Sequence, residues 1–230
     1  RKTMSKIRRW TVYFGGLFLM AAGVAFSVLS GLGVSPIDTI PYVTSVIFHS
    51  DMGLWTAIIF ACYVGLQAVI LRRDFPRRNI LQIPIGICFG WFVSVTNTLE
   101  SALLPAADSY PLQLLYLLLS MVLIGFGISF YVEADLMSMP AEGVAQAIAA
   151  KTGWQLSSSK ILFDWSVVAV SLLLCWLVLH RLDGIREGTL IAAFGVGLFL
   201  RLSQRTLCRG VRRFLHPGGL PAETGDQQAA

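Results

Sequence analysis

Gly23-Val24-Ala25-Phe26-Ser27-Val28 recurs as Gly127-Ile128-Ser129-Phe130-Tyr131-Val132. With the chain slid by 104 residues, Gly23, Phe26, Val28, Leu32 and Pro36 fall on Gly127, Phe130, Val132, Leu136 and Pro140, and Asp38 falls on Glu142. In both halves an apolar helix-forming run is followed by a proline and, two residues later, a carboxylate. Acids this close to hydrocarbon-like sequence are unusual. Two at matched positions point to one two-fold-related site in a duplicated membrane protein.

The composition agrees. Hydrophobic residues make up 55% of the chain and charged residues 13%, with a mean hydropathy of +0.68. Soluble domains carry about 25% charged residues, so the chain reads as membrane-integrated. The four cysteines form no CxxC pair and read as reduced, packing thiols. The basic residues of 1–9 precede an apolar stretch, as in a signal peptide. The stretch 11–32 is, however, uncharged and long enough to span. Its repeat mate, 117–136, is internal, so a retained span is expected.

Long apolar runs predict six spans, at 10–32, 54–72, 79–99, 111–132, 160–180 and 188–204. Pro84 is expected to kink the third. Trp10, Tyr13, Trp55, Tyr110 and Trp154 lie near run ends, as interfacial anchors do. All but two of the eighteen Lys and Arg fall in 1–9, in the loop after span two, in the loop after span four, or at the C-terminal end. Only Arg181 and Arg186 fall on the other side. The positive-inside rule therefore places both termini in the cytoplasm. The same bias explains the net charge of +5 without nucleic acid; the basic clusters meet anionic lipid instead.

Three spans per copy is an odd number, so the second copy enters the membrane from the opposite side. The expected fold is thus all-α, six transmembrane helices in a 3+3 inverted repeat. Further matches at an offset of 109, such as Gly86 with Gly195 and Ser94 with Ser203, imply a five-residue insertion in the second copy. The expected organisation is a basic segment 1–9, repeat 1 over 10–99, a loop over 100–110, repeat 2 over 111–204, and a basic then disordered tail over 205–230.

After span one comes Gly31-Leu32-Gly33-Val34-Ser35-Pro36-Ile37-Asp38-Thr39. Gly31, Gly33 and Pro36 break the helix. Ser35 then reads as an N-cap, Pro36 as the first helical residue and Asp38 as the third, close to a capping box. A short helix is expected over 36–49. The second copy repeats it over 140–151, with Pro140 first, Glu142 third and Gly153 as the stop. About twelve residues reach roughly 18 Å, about half of the ~30 Å hydrocarbon core. Such a helix either lies in the interface or re-enters the membrane.

Asp38 and Glu142 have two readings. Each carboxylate caps its own helix, or the two line an ion or substrate path. A capping carboxylate uses up the positive helix end, which favours a cationic, zwitterionic or proton-coupled solute over an anion. Ser35 and Thr39 are the neutral partners of that candidate site. Asp164 is a third candidate, although Lys160 four residues earlier can pair with it. Gln67, Gln82 and Asn97 read as helix-to-helix hydrogen-bonding residues. No catalytic, metal-binding or cofactor-binding pattern is present, which argues against an enzyme.

The Gly-Leu-Gly-Val-Ser-Pro-x-Asp stretch at 31–38, the second copy, the Thr-Gly-Trp stretch at 152–154 and the Gly-Thr-Leu-Ile-Ala-Ala-Phe-Gly-Val-Gly run at 188–197 resemble the bacterial YczE/YyaS/YitT group of integral membrane proteins. The resemblance covers about 12–204. It implies a location in the bacterial inner membrane and the fold, and supplies no substrate. Met137-Ser138-Met139 departs from the small residues expected before Pro140.

The residues therefore predict a small inverted-repeat transporter with Asp38 and Glu142 at its centre. The alternatives are a non-transporting accessory or regulatory subunit, with both acids as plain caps, and a lipid-handling protein with a lateral groove. A homodimer suits so thin a bundle.

Overall fold

The computed structural model describes residues 2–180 and 185–206. The expected disordered tail lies, from residue 207 on, outside the described residues, as do Cys208 and Arg181. The described residues form eight α-helices and no strand: α1 (Lys2–Ser30), α2 (Thr39–Ile47), α3 (Met52–Leu71), α4 (Gln82–Leu103), α5 (Tyr110–Ala134), α6 (Pro140–Thr152), α7 (Leu156–Leu174) and α8 (Glu187–Thr206).

Five stretches are long and apolar enough to cross a membrane: Lys6–Ser30, Met52–Asp74, Arg77–Leu103, Tyr110–Ala134 and Leu156–Leu179. This is a multi-pass membrane protein whose apolar outer residues, Trp91, Trp176 and Phe194 among them, are exposed and meet lipid. The sixth expected span falls on α8. Its apolar part, Glu187–Val196, is shorter than the other five.

The spine of the bundle is the pair α1 and α5, which run antiparallel. Arg9 meets Ala134, Gly16 meets Gly127, and Phe26 stacks edge-on with Tyr116. The pairing follows from helical spacing. Tyr13, Leu17, Ala21 and Val24 recur every three or four residues and are buried on one stripe of α1. Ser120, Ile124, Gly127 and Tyr131 do the same on α5. Small residues let the backbones touch. A Cβ on Gly16 would sit 2.7 Å from the Gly127 carbonyl oxygen, and one on Gly23 2.9 Å from that of Ser120. The contacts are reciprocal under the 104-residue offset. Gly16 meets the mate of Gly23, and Gly23 meets the mate of Gly16.

The remaining helices pack around this spine. α4 lies on α1 and α8 on α5. Each short helix touches both halves: α2 packs on α3 and α7, and α6 on α3 and α7. Gly31 and Gly33 adopt positive φ (64° and 116°) and turn the chain out of α1. The turn is held from α8, where the Gly188 amide donates to the Leu32 carbonyl at 2.9 Å.

Three local expectations are sharpened by the structure. The basic residues before Trp10 continue α1, which starts at Lys2. Pro84 lies where a 3-10 turn over Arg77–Leu81 gives way to α4 at Gln82, in the first α-helical turn, where no amide is needed for the ladder. Tyr13 is no interfacial anchor. It is fully buried, and its hydroxyl donates to the Met137 carbonyl at 3.2 Å.

Candidate functional site

The two prolines start their helices as the spacing suggests, but the acids after them differ. In the first copy Pro36–Asp38 form a 3-10 turn that leads into α2. Ser35 does not cap the amides. Its hydroxyl donates to the Asp38 carboxylate at 2.6 Å, so the expected capping-box geometry is absent here. Asp38 is only 5% exposed. Thr39 donates to the Pro36 carbonyl at 2.8 Å and accepts from Ser171 of α7, also at 2.8 Å. Asp38 and Thr39 are thus buried, with Ser35 half-buried beside them.

In the second copy α6 is regular from Pro140, carries Lys151 in its last turn and stops at Gly153 in the left-handed conformation (φ 73°). The Glu142 carboxylate accepts from the Tyr131 hydroxyl of α5 and lies close to the Met139 amide. That proximity is the capping half of the reading. The other half is that Glu142 lines a cleft of about 390 Å³ together with Arg78, Asn79, Gln82, Tyr131, Ser138 and Gln146.

The cleft is walled by amides from distant parts of the chain. Gln67 is fully buried and Gln82 is 1% exposed. The Gln67 amide nitrogen donates to Gln82 at 2.8 Å and to the Pro140 carbonyl at 2.9 Å. Its oxygen accepts from Asn79 at 2.8 Å. All three polar positions of this carboxamide are used, as burial between apolar helices demands. Gly143 makes room: a Cβ there would sit 2.7 Å from Gln67 Cδ. Gln82 and Gln67 do bond helix to helix, as expected; Gln82 lines the cleft, and fully buried Gln67 holds it from behind. Asn97 does not join them. It lines a separate cavity of about 380 Å³ beside His49 and Asp51, at the far end of α4.

At the rim, Arg9 donates to the Ala134 carbonyl at 2.8 Å and pairs with exposed Asp135 at 3.4 Å. Arg78 donates to the Leu136 carbonyl at 2.6 Å. Asp164 takes its local partner, Lys160, at 3.2 Å. It is not among the residues that line the cleft, although both groups lie within electrostatic reach of Glu142. The five candidate residues are thus not brought to one surface. Glu142 opens on the cleft, Asp38 and Thr39 are buried beside half-buried Ser35, and Asp164 is ion-paired.

Sequence reasoning missed Tyr131, Asn79, Arg78 and Gln146. Tyr131 was visible as the odd member of the repeated run, standing where the first copy has Ser27. The others carry no local signal.

A chain with these helices and this motif has relatives. Residues 7–205 match the family described as "Family of unknown function (DUF6198)". The chain belongs to this family. It is 30% identical over 200 residues to the "Uncharacterized membrane protein YczE" of Bacillus subtilis, which covers 86% of each chain. It is 25% identical over 195 residues to the "Uncharacterized protein YyaS" of the same organism, covering 83% of this chain and 90% of that one. No solved structure matches. The family thus agrees with the resemblance read at 31–38, 152–154 and 188–197, and with a multi-pass membrane protein.

Proposed function

We propose that this protein is a small inverted-repeat transporter of a cationic, zwitterionic or proton-coupled solute, with six spans and both termini in the bacterial cytoplasm. The observation that carries the reading is the cleft. A carboxylate from a helix start, in an otherwise apolar bundle, faces an open polar cavity where ionisable groups are costly and are kept for function. The reciprocal Gly16–Gly127 and Gly23–Ser120 contacts, and the packing of each short helix on both halves, support a two-fold axis between repeats. Rocking of one repeat against the other would then alternate access. Glu142 is the solute-contacting acid of this state. Asp38, with Ser35 and Thr39, is its buried counterpart.

The test is uptake into proteoliposomes across cationic and zwitterionic solutes. Uptake that falls at least tenfold in Glu142→Gln supports the reading. No uptake of any solute, with Asp38→Asn and Glu142→Gln proteins fully functional in cells, would sink it. One observation favours the accessory-subunit reading, namely the closeness of Glu142 to the Met139 amide. On that reading Glu142→Gln lowers thermal stability and leaves every flux unchanged.

A further inference from the structure

Three charged groups line the cleft, Arg78, Glu142 and Asp135; Asp135 is taken up by Arg9 at 3.4 Å, and the other two are not fully spent. Among the described residues, Arg78 makes one hydrogen bond, to the Leu136 carbonyl, and pairs with no carboxylate. A guanidinium has five donors in a fixed fork, so most of its capacity faces the cleft and the water beyond. Glu142 carries the opposite charge. One oxygen takes the Tyr131 hydroxyl, and a carboxylate has about four acceptor positions. Other polar groups of the lining are held by long, weak bonds. Gln82 donates to Ser138 at 3.5 Å, and Ser138 donates to Gln146 at 3.4 Å. Bonds at this length are near the limit of the interaction and re-partner with little loss. The volume of about 390 Å³ suits a small molecule.

We infer that the cleft binds a small dipolar ligand, with a primary ammonium on Glu142 and a carboxylate or phosphate on Arg78. The inference rests on the cleft being the solute site proposed above, and it narrows the three solute classes to one. An ammonium supplies only donors, which the Glu142 oxygens need. A carboxylate or phosphate supplies paired acceptors, which match the guanidinium fork. A purely cationic ligand leaves Arg78 facing it with like charge. A purely anionic one meets Glu142. The same chemistry occurs in free amino acids and in the ethanolamine phosphate headgroup of a lipid.

Isothermal titration on the detergent-solubilised full chain tests this directly, without any need for transport. The probes are β-alanine and phosphoethanolamine, with ethanolamine and propionate as single-charge controls, and dihexanoyl phosphatidylethanolamine as the lipid arm. At least one dipolar probe is expected to bind at least tenfold more tightly than either control. Arg78→Gln and Glu142→Gln are each expected to weaken it at least tenfold, and Arg78→Lys to recover part of the loss. Binding by the free probes assigns a soluble solute; binding by the lipid alone assigns a headgroup. Equal affinity for ethanolamine and phosphoethanolamine would overturn the inference. So would unchanged affinity in both Gln variants with unaltered melting curves, or no binding by any probe. Dipolar binding without uptake into vesicles would leave the inference standing and remove only the transport reading.

Discussion

The two short helices start from the same Pro-x-acid motif and end in different chemistry. Their surroundings decide it, position by position, at the 104-residue offset. Glu142 reaches Tyr131 on α5. The residue 104 positions before Tyr131 is Ser27, whose short side chain turns back to the Val24 carbonyl at 2.7 Å. Asp38 therefore has no partner on α1 and takes Ser35 instead. The mate of Ser35 is Met139, which has no hydroxyl to offer. The contact with a helix of the other half is exchanged in the same way. Thr39 meets Ser171 in one half, and their mates Gly143 and Gln67 meet in the other. Each pair fills its gap, one with two medium side chains and one with a large and an absent one. Two matched Pro-x-acid motifs thus acquire one buried and one cleft-lining carboxylate through four side-chain exchanges.

The strongest way to break this comparison is at the Gly143–Gln67 pair. Gly143→Leu drives a side chain into Gln67 and is expected to cost about 3 kcal/mol, the upper end for overpacking. A melting curve in detergent would read the loss, and Gly65→Leu, where nothing lies within 4 Å, should leave the curve in place. Gln67→Leu comes next. It strands the polar groups of Asn79 and Gln82 and should cost about 2 kcal/mol. Gly143→Thr combined with Gln67→Ser, which transplants the first-half pair, is expected to melt above Gly143→Leu. If it melts lower, the exchange account fails.

A finer test compares the two acids. Ser35→Ala removes the donor to a carboxylate that is 5% exposed and should cost about 1–2 kcal/mol. Tyr131→Phe removes the donor to Glu142, which borders the cleft. Water can replace it there, so the expected cost is under about 1 kcal/mol. Equal losses would mean that the second site is as closed as the first. The smallest effect is expected at Lys160→Met. Its pair with Asp164 is half open to solvent (43% and 24% exposed), and such pairs contribute about 0–1 kcal/mol.

The repeated run, the glycine break and the two prolines carried the element order, because they act locally on the backbone. Helix faces were less legible. A helix apolar all round shows its length but not which side will be buried. That is why Tyr13, near a run end, reads as an anchor and is in fact core. The Gln67, Gln82 and Asn79 network was visible only as scattered polar residues. Its meaning depends on a loop that returns α4 beside α3 and on Pro140, 73 residues further along, presenting a carbonyl. No spacing rule connects them. The motif located the acids, and the packing of α5 and α7 assigned their different environments.

The α1–α5 spine also sets an order of assembly. Its halves are separated by some hundred residues, so α1 leaves the ribosome long before α5 exists. At about 5–20 residues per second, the wait is roughly 5–20 s. During that time Gly16, Gly23 and Tyr13 face lipid or the insertion machinery rather than a partner. The Ala134 carbonyl that Arg9 grips at 2.8 Å closes the spine only when α5 is nearly complete. The first three spans thus enter the bilayer as a provisional bundle, and the cleft comes into being when the second half arrives to clasp it.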